Sequence, residues 1–291
     1  MIRKKALVTG ANGQVGQALR DIAPGHPGFE FVFLSREDMP IHHYEGIRNV
    51  FHAVKPDVLV NCAAYTAVDR AESERDLAML VNAEAPGVLA SICREHATRF
   101  IHLSTDYVFD GKAHAPYRED DPTAPASVYG LSKREGEKRV LEADPDAIVI
   151  RTSWVYHEHG RNFVKTMMRL MGERERVGVV NDQYGSPTYA GDLADCIMRI
   201  LESDTKASGI FHYSNLGDIN WYDFAVAIRD ILGSPCIVEA ITTEQYPTPA
   251  PRPAYSVLSK EKIQRTFGIR LIPWRQSLEG CLARLKDAAG R

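Results

Sequence analysis

Short apolar runs alternate with amphipathic stretches through the first half of the chain. Residues 6–8, 29–34, 57–61, 100–104 and 147–151 are rich in Val, Ile, Leu and Phe and are bounded by turn-forming or polar residues, which predicts strands. Between them, residues 15–22, 47–54, 76–96 and 128–141 carry apolar positions at helical spacing, the third with a break expected near Pro86. Near-continuous apolar strands separated by helices imply a parallel sheet covered on both faces, an α/β doubly wound architecture. Beyond residue 155 the rhythm changes. Helices are predicted at 163–171, 191–201 and 221–232, with short strands at 176–180 and 210–213. The stretch from Tyr246 to Pro253 alternates Tyr, Arg and Pro, which suggests an ordered extended loop over a surface rather than a flexible linker.

Composition narrows the partners. The 291 residues include 35 Lys plus Arg against 38 Asp plus Glu, a net charge of −3. That is too little positive charge for generic nucleic-acid binding or an electrostatic membrane anchor, so a small-molecule substrate is expected. The five cysteines are scattered with no C-x-x-C pair, which argues against a disulfide framework or zinc site and for a reducing, cytoplasmic compartment. No run of about 18 apolar residues occurs, so no membrane span is expected. The first apolar run stops at Gly10, so no signal peptide is expected either.

Gly10-Ala11-Asn12-Gly13-Gln14-Val15-Gly16 follows the first strand and opens the first helix. Glycines at this spacing let the backbone approach a pyrophosphate, which sits against the free N–H groups and positive dipole end of the helix. The sequence ending the second strand bears on the nicotinamide cofactor. A carboxylate there holds the ribose hydroxyls of NAD, whereas a nearby Arg accepts the 2′-phosphate of NADP. Ser35 and Arg36 precede Glu37 and Asp38, which favours NADPH, with NADH as the alternative if Arg36 is only a solvated charge.

Tyr129 and Lys133 are spaced to lie on one face of a helix. A phenol is a weak acid at neutral pH, and a lysine cation beside it is expected to lower its pKa so that it can protonate a ketone oxygen as hydride arrives. The pair follows the string Ser104-Thr105-Asp106-Tyr107-Val108-Phe109-Asp110-Gly111, where Thr105 ends a strand and is placed to hydrogen-bond the same oxygen. Ser104 is the competing hydroxyl, and Asp106 and Asp110 are candidate caps.

At these residues the chain resembles the extended short-chain dehydrogenase/reductase family, nearly from end to end. The segment Asn61-Cys62-Ala63-Ala64-Tyr65-Thr66-Ala67-Val68-Asp69 supports the resemblance, as do Arg151–Tyr156, Asn181–Thr188, and Tyr246–Pro253 with Ser256. It implies a Rossmann domain over residues 1–155 and a smaller nucleotide-sugar domain over 156–291, with interleaved segments. It implies catalysis by Thr105, Tyr129 and Lys133, with Lys133 also holding the nicotinamide ribose. Gly10, Asn12, Gly13, Gln14 and Val15 would line the pyrophosphate, with Ala63, Ala64 and Thr66 beside the riboses and nicotinamide. Val68, Asp106 and Trp154 would face a deoxyhexose, although Trp154 is equally a domain-boundary core residue and Val68 a packing residue. Arg252 would clamp a diphosphate or pair with a surface acid. The implied reaction reduces the C4 keto group of a nucleotide-linked 6-deoxyhexose for surface polysaccharide.

Departures from the family also carry information. Met39-Pro40-Ile41 stands where many relatives have Leu-Asp-Ile, so an adenine-side contact is lost or replaced. Some relatives form a magnesium-linked dimer through glutamates, and the matching positions here are Ala18 and Gly191. Neither supplies a carboxylate, so no such metal bridge is expected, and a monomer or weak homodimer is. His42-His43, and His157 with His159, lack carboxylate or Cys partners at ligand spacing and are expected in surface loops. One alternative is a reductase of another nucleotide 4-keto-sugar. A non-catalytic NADP-binding regulatory subunit, like the beta subunit of methionine adenosyltransferase, is another, and the intact Thr105/Tyr129/Lys133 set argues against it.

Overall fold

The computed structural model describes residues 3–289. The apolar runs of the first half form β1 (Lys4–Thr9), β2 (Phe29–Leu34), β3 (Val58–Asn61), β4 (Arg99–Thr105) and β5 (Ile148–Thr152). Between them lie α1 (Gln14–Ile22), α2 (Tyr44–Val54), α3 (Val68–Ala71), α4 (Arg75–Met79), α5 (Ala85–Glu95) and α6 (Val128–Ala143). The second half adds β6 (Val155–Tyr156), α7 (Phe163–Glu173), β7 (Arg176–Val180), β8 (Tyr184–Gly185), β9 (Thr188–Tyr189) and α8 (Ala190–Glu202). It continues through β10 (Gly209–His212), β11 (Ile219–Asn220), α9 (Trp221–Leu232), β12 (Ile237–Ile241), α10 (Glu261–Phe267) and α11 (Trp274–Ala289).

The main sheet has the order β10-β5-β4-β3-β1-β2, and every pairing in it is parallel. This is the doubly wound sheet that the alternation of strands and helices predicts. Successive side chains point to opposite faces. Val8, Val60, Ile101 and Ile150 face a core shared with Leu19 of α1 and Leu193 and Ile197 of α8. Leu7, Leu59, Phe100 and Val149 face the other, with Ile47, Phe51, Leu89 and Ile92. The second half enters the first core directly, because β10 pairs with β5, placing Phe211 opposite Ile150. A separate core built on Val164, Met167, Phe224, Ile228, Leu278 and Cys281 lies under α7, α9 and α11. The order of strands reverses between β1 and β3, and ligands bind doubly wound sheets in the crevice outside the strand ends at that switch.

The helical run expected to break at Pro86 instead continues. A π-turn at Leu80–Glu84 joins α4 to α5, so Arg75–Glu95 is one helical stretch of 21 residues. Pro86 sits in the first turn of α5, where its missing N–H is tolerated. The carbonyl it cannot bond, that of Asn82, faces Gly136 of α6, where a side chain would collide with it. By length and hydropathy this stretch could cross a membrane, but half of it is buried within the fold and it packs against α6.

Candidate active site

The loop after β1 is shaped by glycine. Gly10 has φ +65°, and a Cβ there would lie 2.6 Å from the main-chain nitrogen of Ala63. The loops after β1 and β3 therefore touch backbone to backbone, an approach only glycine permits. Gly16 is closed in similarly, its would-be Cβ 2.5 Å from the Gly10 carbonyl. Gly13 caps α1 with no side-chain hydrogen bond, so the helix N-terminus faces the crevice uncapped, with its positive dipole end. Gly10, Asn12, Gly13 and Val15 lie along this cradle, which fits a dinucleotide pyrophosphate. The Gln14 side chain turns away. Its Nε2 donates to Val155 O at 3.2 Å, and its Oε1 accepts from Asn162 Nδ2 at 2.9 Å, leaving only its main chain at the cradle.

A buried chain of hydrogen bonds sets the loop after β3. Thr9 Oγ1 donates to Asn61 Oδ1 at 2.6 Å, and the same oxygen accepts the Ala63 N–H at 3.2 Å. Asn82, on the π-turn, holds the loop from the other side. Its Oδ1 accepts the Tyr65 N–H at 2.8 Å, and its Nδ2 donates to Tyr65 O and to Ser132 Oγ of α6, both at 3.0 Å. Ala63 and Ala64 are thereby fixed beside Gly10, with exposed Thr66 at the rim. At the end of β2, the Ser35 hydroxyl donates to Glu37 Oε2 and its N–H to Asp38 Oδ2, each at 2.8 Å. These bonds hold both carboxyls below their usual range. Arg36 projects beside them, exposed.

The chemistry-bearing residues meet at the carboxyl end of β4. Ser127 caps α6 by accepting the Gly130 N–H at 3.1 Å, which sets Tyr129 and Lys133 one turn apart on the inward side. Lys133 is 2% exposed, and its Nζ donates to Leu103 O at 2.6 Å. The Tyr129 ring stands edge-on to Tyr107, with centroids 5.8 Å apart at 75°. Thr105 Oγ1 donates to Asp106 Oδ1 at 3.0 Å and accepts the Tyr107 N–H at 3.3 Å. Asp106 is buried, and its Oδ2 has no hydrogen-bond partner among the described residues.

The electrostatics correct one expectation. Lys133 does not draw the Tyr129 pKa down. Burial pushes the phenol up to about 12, opposed by a hydrogen bond with Thr105. Lys133 is itself pushed down to about 8 by burial, partly offset by Glu137. Desolvation is the largest influence on the phenol, and the nearby ammonium is bonded to the Leu103 carbonyl. Burial also raises Asp106 to about 6. Tyr129 is thus a neutral phenol at pH 7, the protonation state required of a proton donor.

The family model for the RmlD substrate binding domain matches residues 4–287. The chain belongs to this RmlD substrate-binding family. It is 44% identical over 294 residues to a dTDP-4-dehydrorhamnose reductase of Burkholderia thailandensis, covering 96% of this chain and 98% of that one. It is 42% identical over 275 residues to a probable dTDP-4,6-dihydroxy-2-methyloxan-3-one 4-ketoreductase of Streptomyces antibioticus, covering 94% and 92%. Among solved structures, the dTDP-4-dehydrorhamnose reductase of Bacillus anthracis in complex with NADP superposes with a TM-score of 0.93 at 35% identity, covering 97% of this chain and 100% of that one.

In this RmlD-family chain the remaining candidates are placed as follows. Val68 opens α3, half-buried. Arg252 takes the acid among its two expected partners, with two bonds to the Asp69 carboxylate at 2.7 and 2.8 Å and a third to Ala250 O at 2.7 Å. The Pro-rich strap is thereby docked on α3. Trp154 has φ +47° and stacks on Trp221 at 3.5 Å, against Gly185. Its indole is part of the wall of the separate core under α7, α9 and α11. His159 is exposed as expected, but His157 is buried, because its ring stacks against Tyr189 and Asp21 of α1 reaches it across the surface.

Several site residues escaped the sequence analysis. Tyr107 and Asp69 lie inside strings already singled out, and Glu137 continues the four-residue spacing of Tyr129 and Lys133. Asn82 gave no local signal, since its role depends on a π-turn and on two loops distant in sequence.

Proposed function

We propose that the chain is an NADPH-dependent reductase. Its substrate is dTDP-6-deoxy-L-lyxo-4-hexulose (dTDP-4-dehydro-L-rhamnose), reduced at the C4 keto group to dTDP-L-rhamnose for rhamnose-containing surface polysaccharide. The observation that supports this is the grouping of Thr105, Tyr129 and Lys133 at the end of β4, on the same carboxyl edge of the parallel sheet as the glycine loop after β1. NADPH bound in that cradle supplies hydride to the keto carbon. Tyr129 protonates the keto oxygen, and Thr105 orients it. Lys133 holds the nicotinamide ribose and keeps a positive charge near the developing alkoxide below about pH 8. Ser35 and Arg36 receive the adenosine 2′-phosphate. Val68, Asp106 and Trp154 border the deoxyhexose. Arg252 clamps the diphosphate after exchanging Asp69 for it.

Residues 1–155 serve as the cofactor domain and 156–291 as the substrate domain, with β10 and α8 returning to the first. All five cysteines are free thiols, consistent with a cytoplasmic location. A monomer or weak homodimer without a magnesium bridge fits positions 18 and 191. Ala18 is buried, and a side chain at Gly191 would collide with the Tyr189 ring. The Streptomyces relative, at 42% identity, supports a second reading in which the substrate is another nucleotide 4-keto-sugar.

The test is a coupled assay with dTDP-4-keto-6-deoxyglucose, NADPH and a 3,5-epimerase. NADPH oxidation that depends on the epimerase and yields dTDP-rhamnose supports the reading. Oxidation without the epimerase favours the second, and none, with NADPH tightly bound, returns the regulatory-subunit alternative.

A further inference from the structure

We propose that Asp21, His157 and His159 form a binding site for a divalent cation of the zinc class, a surface clip between α1 and the segment after β6. The His159 Nε2 lies 3.4 Å from Asp21 Oδ2, and the His157 Nε2 lies 3.8 Å from the same oxygen. The three ligand atoms all lie within 4.8 Å of one another. In a tetrahedral site with bonds of about 2.0–2.1 Å, ligand atoms are about 3.3–3.4 Å apart. The cluster therefore needs a closure of at most about 1.5 Å, within the freedom of two half-exposed side chains, Asp21 and His159, moving against the fixed His157 ring.

The donor set selects the ion. Two imidazoles and one carboxylate suit zinc, cobalt, nickel or copper, whereas magnesium and calcium prefer oxygen alone. Water completes the coordination. The surroundings supply support. Glu158, 3.2 Å from His157 Nε2, is held by Arg284 and by the Tyr189 hydroxyl, so its charge is already shared. His157 Nδ1 accepts the His159 N–H at 3.3 Å, which puts the ring proton on Nε2. Coordination moves that proton to Nδ1 and gives up both this long contact and the one between Nε2 and Glu158.

The clip bears on the cofactor loop. Asn162 Nδ2 donates both to His157 O at 2.7 Å and to Gln14 Oε1 at 2.9 Å. An ion pinning 157–159 to α1 therefore tightens the segment that holds Gln14 at the mouth of the cradle. Neither position 18 nor 191 takes part.

The experiment uses the untagged full chain, stripped with a chelator and titrated with Co²⁺ and Zn²⁺, alongside His159→Gln and Asp21→Asn. Both substitutions lie on the surface and leave the metal-free melting temperature unchanged. The wild type is expected to bind one ion, to show the visible bands of four-coordinate Co²⁺ and to melt higher with Zn²⁺. Losing even a supporting contact costs about 10–100-fold in metal affinity, so each variant should lose at least about tenfold. Binding equal in wild type and both variants would place the ion elsewhere, at His42–His43 or His52 and His96, and overturn the proposal. So would a wild-type affinity weaker than about 0.1 mM, or binding of Mg²⁺ in preference to Zn²⁺.

Discussion

Lys133 and Arg151 are both 2% exposed and lie on neighbouring elements, yet they are held in opposite ways. Arg151 is fully matched. It bonds both oxygens of Glu137 at 2.7 and 2.8 Å, reaches Glu119 O at 3.3 Å and lies 4.9 Å above the Phe109 ring. Among the described residues, Lys133, one turn before Glu137 on α6, has a single carbonyl partner and no carboxylate in contact. A buried pair with all its bonds made is structural, and removing one partner is costly. A buried cation left with spare donors costs folding energy, and such groups cluster where ligands bind. On the proposed function, the fold separates a charge that supports the sheet from a charge that serves the site.

Perturbing each side in turn sharpens that contrast. Glu137→Gln strands the Arg151 guanidinium and should destabilise the fold by about 3–5 kcal/mol in denaturant melts. A loss below about 1 kcal/mol would show that the pair is not structural. For Lys133 the sign is opposite to an ordinary lysine, because burial lets it deprotonate near pH 8. kcat/KM should fall about tenfold per pH unit above that point, and a flat profile to pH 10 would remove the ammonium from the mechanism. Asp106 titrates near 6. Above that pH its carboxylate competes with the keto oxygen for the Thr105 proton, and below it the neutral acid donates to Thr105 and frees that proton for the keto oxygen. The rate should therefore rise two- to tenfold as pH falls through 6, the worth of about one hydrogen bond, and Asp106→Asn should abolish the rise. Arg36→Ala is expected to raise the KM for NADPH about fivefold and leave that for NADH unchanged, as for one exposed ion pair. Equal changes would sink the 2′-phosphate assignment.

The same contrast explains what was legible in the sequence. Strands, the glycine loop and the four-residue spacing of Tyr129 and Lys133 are local patterns, and local physics sets them. The partners of Arg252 and His157 are not local. Asp69 and Asp21 arrive from helices far away in the chain, and no spacing rule finds them. The run past Pro86 failed as a helix break because a π-turn and Gly136 of another helix accommodate the freed carbonyl. The Tyr129 pKa was misjudged because burial, which decides it, cannot be read from residue types alone.

The most direct measurement is turnover of Tyr129→Phe in the coupled assay, with NADPH affinity measured beside it. The account predicts a rate reduced about 10²–10⁴-fold with NADPH affinity retained, since only the proton donor is removed. A variant keeping more than about a tenth of the rate would contradict it, and the proton would then have to come from another group at the end of β4.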